Sequence, residues 1–425
     1  MRAQIVNSAG GGRSLQAAGI GSQRSRRPVA ATLSIVAISM VASTAQLKQL
    51  PPFSFVPGNL TTLLLGLALV LAVASVATSG TMPRLVPAVF ATLIFVLMAM
   101  GMLKSPGTEY ANFKVSRLAL ATMPTVAVVA LVVRDRRDVR LFMGGLIGSA
   151  LYASLMLRLT ASNLNASGVS GRLVSEGGAT ISFGRSAAFV IAALLVWFFA
   201  SRSIVPLRAA AAILIIGLEL WIMLSVGSRG PIQALLLAAA TTVSFALLRS
   251  EGQRWGRWLA VGLLASFAAG IAWSAAPEVS RSRILLLGSG TSSGARRIFI
   301  DRTLEIGDLS PIGHGWGSWP EAADLGGTFT YPHNAFLEIW FEAGVIGLLL
   351  FSGLLAYALV LQYRRRSTNP LLSSLLASSL VFWLSASLVS GDVNDNRALF
   401  ALLVAAVVPV REPGDSSTAP LEVRS

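Results

Sequence analysis

The sequence predicts an all-α fold: a polytopic bundle of about 12 transmembrane helices with one large extracytoplasmic loop. Three observations lead there. Of 425 residues, 54% are hydrophobic and only 12% charged, about half the charged share of a soluble domain. The apolar residues gather in blocks of the length a bilayer-spanning helix needs, about 17–25 residues. Basic residues cluster in alternate connectors between the blocks, as retention of Lys and Arg on the cytoplasmic side requires.

The blocks fall at 28–44, 60–79, 85–103, 117–133, 141–157 and 186–201, then at 208–226, 231–248, 258–274, 343–362, 371–389 and 397–410. The N-terminal tail carries Arg2, Arg13, Arg24, Arg26 and Arg27. With that tail inside, the inner connectors hold Arg134, Arg136, Arg137 and Arg140, then Arg202 and Arg208. Arg249, Arg254 and Arg257 follow, then Arg364, Arg365 and Arg366. Helix count and charge agree, and both termini are expected in the cytoplasm. Residues 1–27, rich in Gly, Ser and Arg, are expected to form a disordered cytoplasmic tail, and 411–425 a second one. Arg26-Arg27 before an apolar run resembles a secretion signal. Its removal would upset the charge alternation, so an uncleaved first helix is expected. The chain then divides into nine spans over 28–274, an outer loop over 275–342 and three further spans over 343–410.

The net charge of +15 is spread over short clusters rather than one patch with interleaved aromatics. This argues against nucleic acid as a partner and for membrane lipids. The chain has no cysteine and two histidines, which excludes disulfides and thiolate chemistry and argues against a metal site or any cofactor. Two outer segments, about 158–185 and 275–342, are longer than connectors need to be. The second holds both histidines, of which His314, between Gly313 and Gly315, reads as a turn residue. Gly391 to Arg397 forms a further outer segment, either a cavity rim or a solvated connector.

The most informative stretch runs from Tyr331-Pro332-His333-Asn334 through Glu338 and Glu342 to Gly344 and Gly347. Pro332 breaks a helix and Asn334 is a favoured N-cap, so a helix is expected to start here. Asn334, Glu338 and Glu342 then recur at i, i+4, i+8 on one face. Carboxylates on a stripe leading into a spanning helix are costly unless they meet water or a partner. On the residues alone, the stretch is equally an ordinary helix cap with interfacial polar groups.

His333, Asn334, Leu337, Glu342, Gly344 and Gly347 closely resemble the His-Asn-x-x-Leu-x-x-x-x-Glu-x-Gly-x-x-Gly motif of the O-antigen ligase and O-antigen polymerase family. Gly227-Ser228-Arg229-Gly230-Pro231 resembles that family's Ser-Arg-Gly element, whose arginine engages donor phosphates; an arginine snorkelling at a helix end is the plainer account. Gly294-Ala295-Arg296-Arg297 and the Pro-Gly-rich run from Pro311 to Gly317 resemble its arginine, helix and Pro-Gly segment. The family's Trp four residues after the arginine is replaced by Ile300, counting from Arg296, so either Arg296 or Arg297 is the equivalent.

The resemblance implies a metal-independent glycosyltransferase of the bacterial inner membrane. Its donor would be a polyprenyl-pyrophosphate-linked glycan and its acceptor a hydroxyl on a lipid or on another glycan, met on the extracytoplasmic face. Arg229 with Arg296 or Arg297 would stabilise charge on the leaving pyrophosphate. His333 would take the acceptor's proton. Glu338 or Glu342 would orient it or, with Asn334, hold sugar hydroxyls. A ligase and a polymerase share these features and differ in acceptor. A lipid-linked glycan flippase or other transporter would place charges at mid-membrane; here the apolar blocks hold almost none, which favours the enzyme.

Overall fold

The computed structural model describes residues 28–79, 82–160, 180–201, 205–248, 255–285, 291–326 and 329–409. The tails 1–27 and 411–425, residues 161–179 of the first long outer segment, and Arg202, Arg249 and Arg254 lie outside the described residues. Among the described residues all regular structure is helical. In chain order the helices are α1 (Val29–Val41), α2 (Leu60–Ser79), α3 (Leu85–Met102), α4 (Glu109–Val132), α5 (Arg136–Thr160) and α6 (Thr180–Ala200). Next come α7 (Pro206–Val226), α8 (Arg229–Leu247), α9 (Trp255–Ala275), α10 (Glu278–Leu285), α11 (Thr291–Ile306) and α12 (Trp319–Ala323). The last three are α13 (Ala335–Arg365), α14 (Pro370–Ser387) and α15 (Arg397–Ala406).

Every apolar block sits on one of these helices, and among the described residues nine of them, α2 to α8, α13 and α14, are long and apolar enough to cross a membrane. Helices α1 and α15 are apolar but shorter. Leu63, Val70, Val73, Leu214, Leu236 and Leu349 are exposed on the outside of the bundle. Helices apolar on all sides have only lipid to present such surface to. This is a multi-pass membrane protein.

Lipid tails are as apolar as leucine, so helices associate through close packing and buried hydroxyls. Gly145 lets α5 meet α1 so closely that a Cβ there would lie 1.9 Å from Ser39 Oγ. Ser34 donates to the Ala68 carbonyl at 2.7 Å, tying α1 to α2. Ser43 and Ser149 pair at 3.1 Å, and Thr242 pairs with Ser378 at 2.8 Å. Helix α14 buries Ser373, Ser374, Ser378 and Ser379 among α6, α8 and α13.

The C-terminal ends of α1, α3, α7 and α14 meet the N-terminal ends of α4, α6, α8, α13 and α15 at one end of the bundle. Helix α7 stops at Gly227, whose φ of 65° forms a left-handed cap. Helix α8 begins at Arg229. Gly230 approaches Val389 and Pro231 fills the space above Gly184. The Gly-Ser-Arg-Gly-Pro run is therefore a tight reversal that brings Arg229 to that end.

Helix α13 is capped as expected, Asn334 Oδ1 accepting from the N–H groups of Phe336 (3.0 Å) and Leu337 (3.3 Å). It is then interrupted at Gly344, with φ 77° and ψ −176°. The segment from Ser310 to Gly315 fills the interruption. His314 and Gly315 N–H donate to the Phe341 and Glu342 carbonyls, at 3.0 and 2.9 Å. Val345 and Ile346 N–H donate to the Ser310 and Pro311 carbonyls, at 3.0 and 3.1 Å. Each backbone thus satisfies the groups the break strands, as apolar surroundings demand. The same loop is fastened to α3: Trp316 donates from its backbone to Gly101 at 2.7 Å and from its indole to Met98 at 2.6 Å.

Gly344 occupies a backbone region open in practice to glycine alone, and a Cβ there would lie 2.3 Å from Gly313 N. Gly344→Ala is expected to destabilise the protein by at least about 1–3 kcal/mol with membrane insertion unchanged. Thermal unfolding of the detergent-solubilised protein, beside a Gly353→Ala control where a Cβ meets nothing, measures it.

Candidate functional site

The stripe expected on α13 exists, and both its carboxylates are fully buried. Their partner comes from α4. Thr108 caps that helix, its hydroxyl accepting from Ala111 N–H at 3.3 Å. The helix therefore starts at Glu109, ahead of the apolar block at 117, and carries Tyr110, Lys114 and Arg117 at helical spacing. Lys114 Nζ lies 2.5 Å from Glu338 Oε1, 2.5 Å from Glu342 Oε2 and 3.3 Å from Asp392 Oδ1. Tyr110 donates its hydroxyl to Asp392 Oδ2. The Val393 N–H donates to Glu338 Oε1 at 3.1 Å. Burial would raise the Asp392 carboxyl, but the Lys114 charge, the Tyr110 hydroxyl and the Asn394 N–H hold it below the usual carboxylate range.

Glu338 and Glu342, expected to orient His333 or hold sugar hydroxyls, are fully buried against Lys114. Asn334 spends its side-chain oxygen on the cap. As expected, the apolar blocks hold almost no charge: the Lys114 cluster lies at their ends, Arg185 is buried just before its block on α6, and Glu219 is buried within α7, where it accepts from Ser154 of α5 at 2.7 Å.

The turn before α13 places His333, whose φ of 56° is unusual for a residue other than glycine. Its imidazole stacks on Phe299 of α11 (centroids 5.5 Å apart, planes 24°) and lies 4.3 Å from the Tyr331 ring. Phe299 belongs to a small separate core with Trp319, Ala323 and Phe341, so helices α11 and α12 dock on the start of α13. The indole of Trp319 donates to Thr303 Oγ1 at 2.8 Å, and Arg302 Nε donates to the Ala323 carbonyl at 3.0 Å.

That docking brings the arginines to His333. Arg296 is half-buried, close enough to Arg229 for the like charge, after burial, to depress its pKa. Its own charge acts on His333: burial first, then Arg296, pushes the imidazole down to about 4, against an opposing pull from Asp392. Arg297 points away, its side chain 86% exposed and 3.7 Å from Asp301. Of the two neighbouring arginines, Arg296 is the one near Arg229 and His333. His333 Nδ1 is buried without a hydrogen-bond partner among the described residues, so Nε2 is the nitrogen with access to open space. His314 is a turn residue as expected, stacked on Phe341 at 4.5 Å with Nε2 3.3 Å from Asp308.

Across Tyr331 from His333 lies a cavity of about 730 Å³, lined in part by Lys48, Arg117, Arg185, Asp395 and Arg397. Burial first, with Asp395 and Asp392 adding, pushes the Tyr331 phenol up to about 12, so it remains a hydrogen-bond donor. The segment from Gly391 to Arg397 is thus the cavity rim and not a solvated connector. Lys114, Tyr110 and Arg185 escaped sequence reasoning. The available signal for Lys114 was electrostatic, since two carboxylates entering a span demand a cation from elsewhere. No group of His, Asp or Glu among the described residues has the arrangement of a metal site. Neither a family model nor a curated protein matches the chain.

His333 is expected to stay neutral where an ordinary histidine is charged. In a His314→Gln protein labelled at its remaining histidine, the ¹⁵N shifts should show a neutral ring at pH 5.5. The folded imidazole's pKa lies below its ordinary 6.5. As pH falls from about 6.5 towards 4, the unfolded chain therefore binds a proton that the folded one refuses, and stability falls.

Proposed function

We propose that the chain is an O-antigen ligase-like glycosyltransferase of the bacterial inner membrane, with about 12 spans and both termini in the cytoplasm. It transfers a glycan from a polyprenyl-pyrophosphate donor to an acceptor hydroxyl on the extracytoplasmic face. The observation that carries this reading is the convergence of Arg229, Arg296 and His333, from three separate segments, at one end of the bundle. The motif resemblance of those same segments supports it, and the cytoplasmic Arg clusters at the opposite end suit the orientation.

In this reaction the acceptor oxygen attacks the anomeric carbon as the bond from that carbon to the pyrophosphate oxygen breaks. The electron pair leaves with the lipid pyrophosphate, and the acceptor proton passes to His333 Nε2. In-line attack inverts the anomeric centre. Two guanidiniums suit the leaving group, because each offers several donors to phosphate oxygens and neither can release its proton. In the free protein burial, and after it the Arg296 charge, makes His333 a poor base. A pyrophosphate held by Arg229 and Arg296 cancels that charge and raises the imidazole's basicity, so the donor strengthens the base. The polymerase is the same chemistry with a second lipid-linked glycan as acceptor.

His333→Ala is expected to lower transfer by about 10²- to 10⁴-fold. Arg229→Ala and Arg296→Gln should abolish it, whereas Arg297→Gln leaves it within about twofold of the parent, as for an exposed surface residue. All four should insert normally. Gels of surface glycan from a strain lacking the gene and complemented with each variant check this. Long lipid-linked chains with bare acceptor indicate a ligase, and single units without a ladder a polymerase. An unchanged glycan profile in the deletion strain contradicts both.

A further inference from the structure

The cavity across Tyr331 has its own charge balance. Four basic side chains line it, Lys48, Arg117, Arg185 and Arg397, against one acid, Asp395. Asp395 pairs with Arg117 at 3.1 Å. The other cations meet backbone carbonyls: Arg185 donates to Ala386 (3.0 Å) and Ser390, Arg397 to Asn394 (3.4 Å) and Lys48 to Val56. Carbonyl dipoles orient a guanidinium without cancelling its charge. Arg185 and Arg397 are each only 8% exposed. An excess of three positive charges in a recess, two of them largely desolvated, is costly unless an anion completes the site. Three charges match a phosphate dianion better than a carboxylate. At about 730 Å³ the space suits a ligand much larger than an inorganic ion. Trp383 and Tyr331 add aromatic surface to its lining.

The geometry points to a second subsite, distinct from the Arg229 and Arg296 pair, that binds a phosphate monoester carried on the acceptor and so sets the acceptor hydroxyl beside His333. The assignment to the acceptor rests on the glycosyl-transfer reading; the phosphate specificity of the cavity does not. The site discriminates by charge: a phosphorylated acceptor is retained and its neutral counterpart is not.

The test uses the full-length protein in phosphatidylcholine nanodiscs and radiolabelled glucose 6-phosphate, with glucose as the neutral comparison. Saturable binding of the phosphate alone is expected, weakened at least tenfold in Lys48→Gln/Arg117→Gln and retained in Arg229→Gln. The Lys48 and Arg117 changes leave the deeply buried Arg185 in place, and thermal unfolding beside the parent checks that the double variant, which loses the Arg117–Asp395 pair, is folded. Displacement by short-chain phosphatidic acid places the phosphate on a lipid; its failure to displace places it on a glycan. Equal binding of glucose, or phosphate binding unchanged in the double variant, overturns the subsite. Loss in Arg229→Gln with retention in the double variant assigns the phosphate to the donor side, overturning the subsite while leaving the transferase reading intact. A transferase that fails the glycan assay but passes the binding test has the cavity without the chemistry.

Discussion

One ammonium group ties together the end of this bundle at which His333 lies. Lys114 reaches from α4 to two carboxylates on α13 and a third on the segment after α14, all out of contact with water. Separating such groups leaves uncompensated charge in a medium that cannot solvate it, which makes a buried ionic contact a strong constraint on geometry even where it contributes little net stability. The constraint propagates in two directions. On α13 it fixes the first turns, and with them the left-handed turn that carries His333. On the segment after α14 it fixes Asp392, and with it the rim residues Asp395 and Arg397 that face the cavity.

A second constraint is written in the backbone. The break at Gly344 strands polar groups that only another backbone can satisfy at that depth, and residues 310–315 supply them. That segment is thereby keyed into the membrane bundle and not merely laid over it. Glycines at 313 and 344 are required because the two segments approach too closely for any Cβ, and Gly315 because its backbone lies against Lys104 and Ser105. This gives Glu342, Gly344 and the Pro-Gly run structural roles: they build the platform on which α11 presents Arg296.

The helices were legible because lipid imposes a length and a composition on them, and the windows found every apolar one. The N-cap at Asn334 was legible because its chemistry is local. Helix α4 was undershot at its N-terminal end, since its first turns carry Glu109, Lys114 and Arg117 and hydropathy passes over a charged residue such as Lys114 that is buried against partners. The stripe of Glu338 and Glu342 was visible but its meaning was not. The residue that answers it is 224 positions away, a tertiary pairing no local pattern encodes. Arg296 and Arg297 are adjacent in sequence, and only the docking of α11 through Phe299 separates the one that faces His333 from the one that faces outward.

The account stands most directly on whether Lys114 and its carboxylates are energetically one unit. Thermal unfolding of Lys114→Met, Glu338→Gln/Glu342→Gln and the combined triple variant in one detergent measures this as a cycle. The account predicts a loss of about 3–5 kcal/mol for Lys114→Met, with most of it regained in the triple variant. A Lys114→Met protein as stable as the parent, or a triple variant whose loss is the sum of the other two, would contradict it.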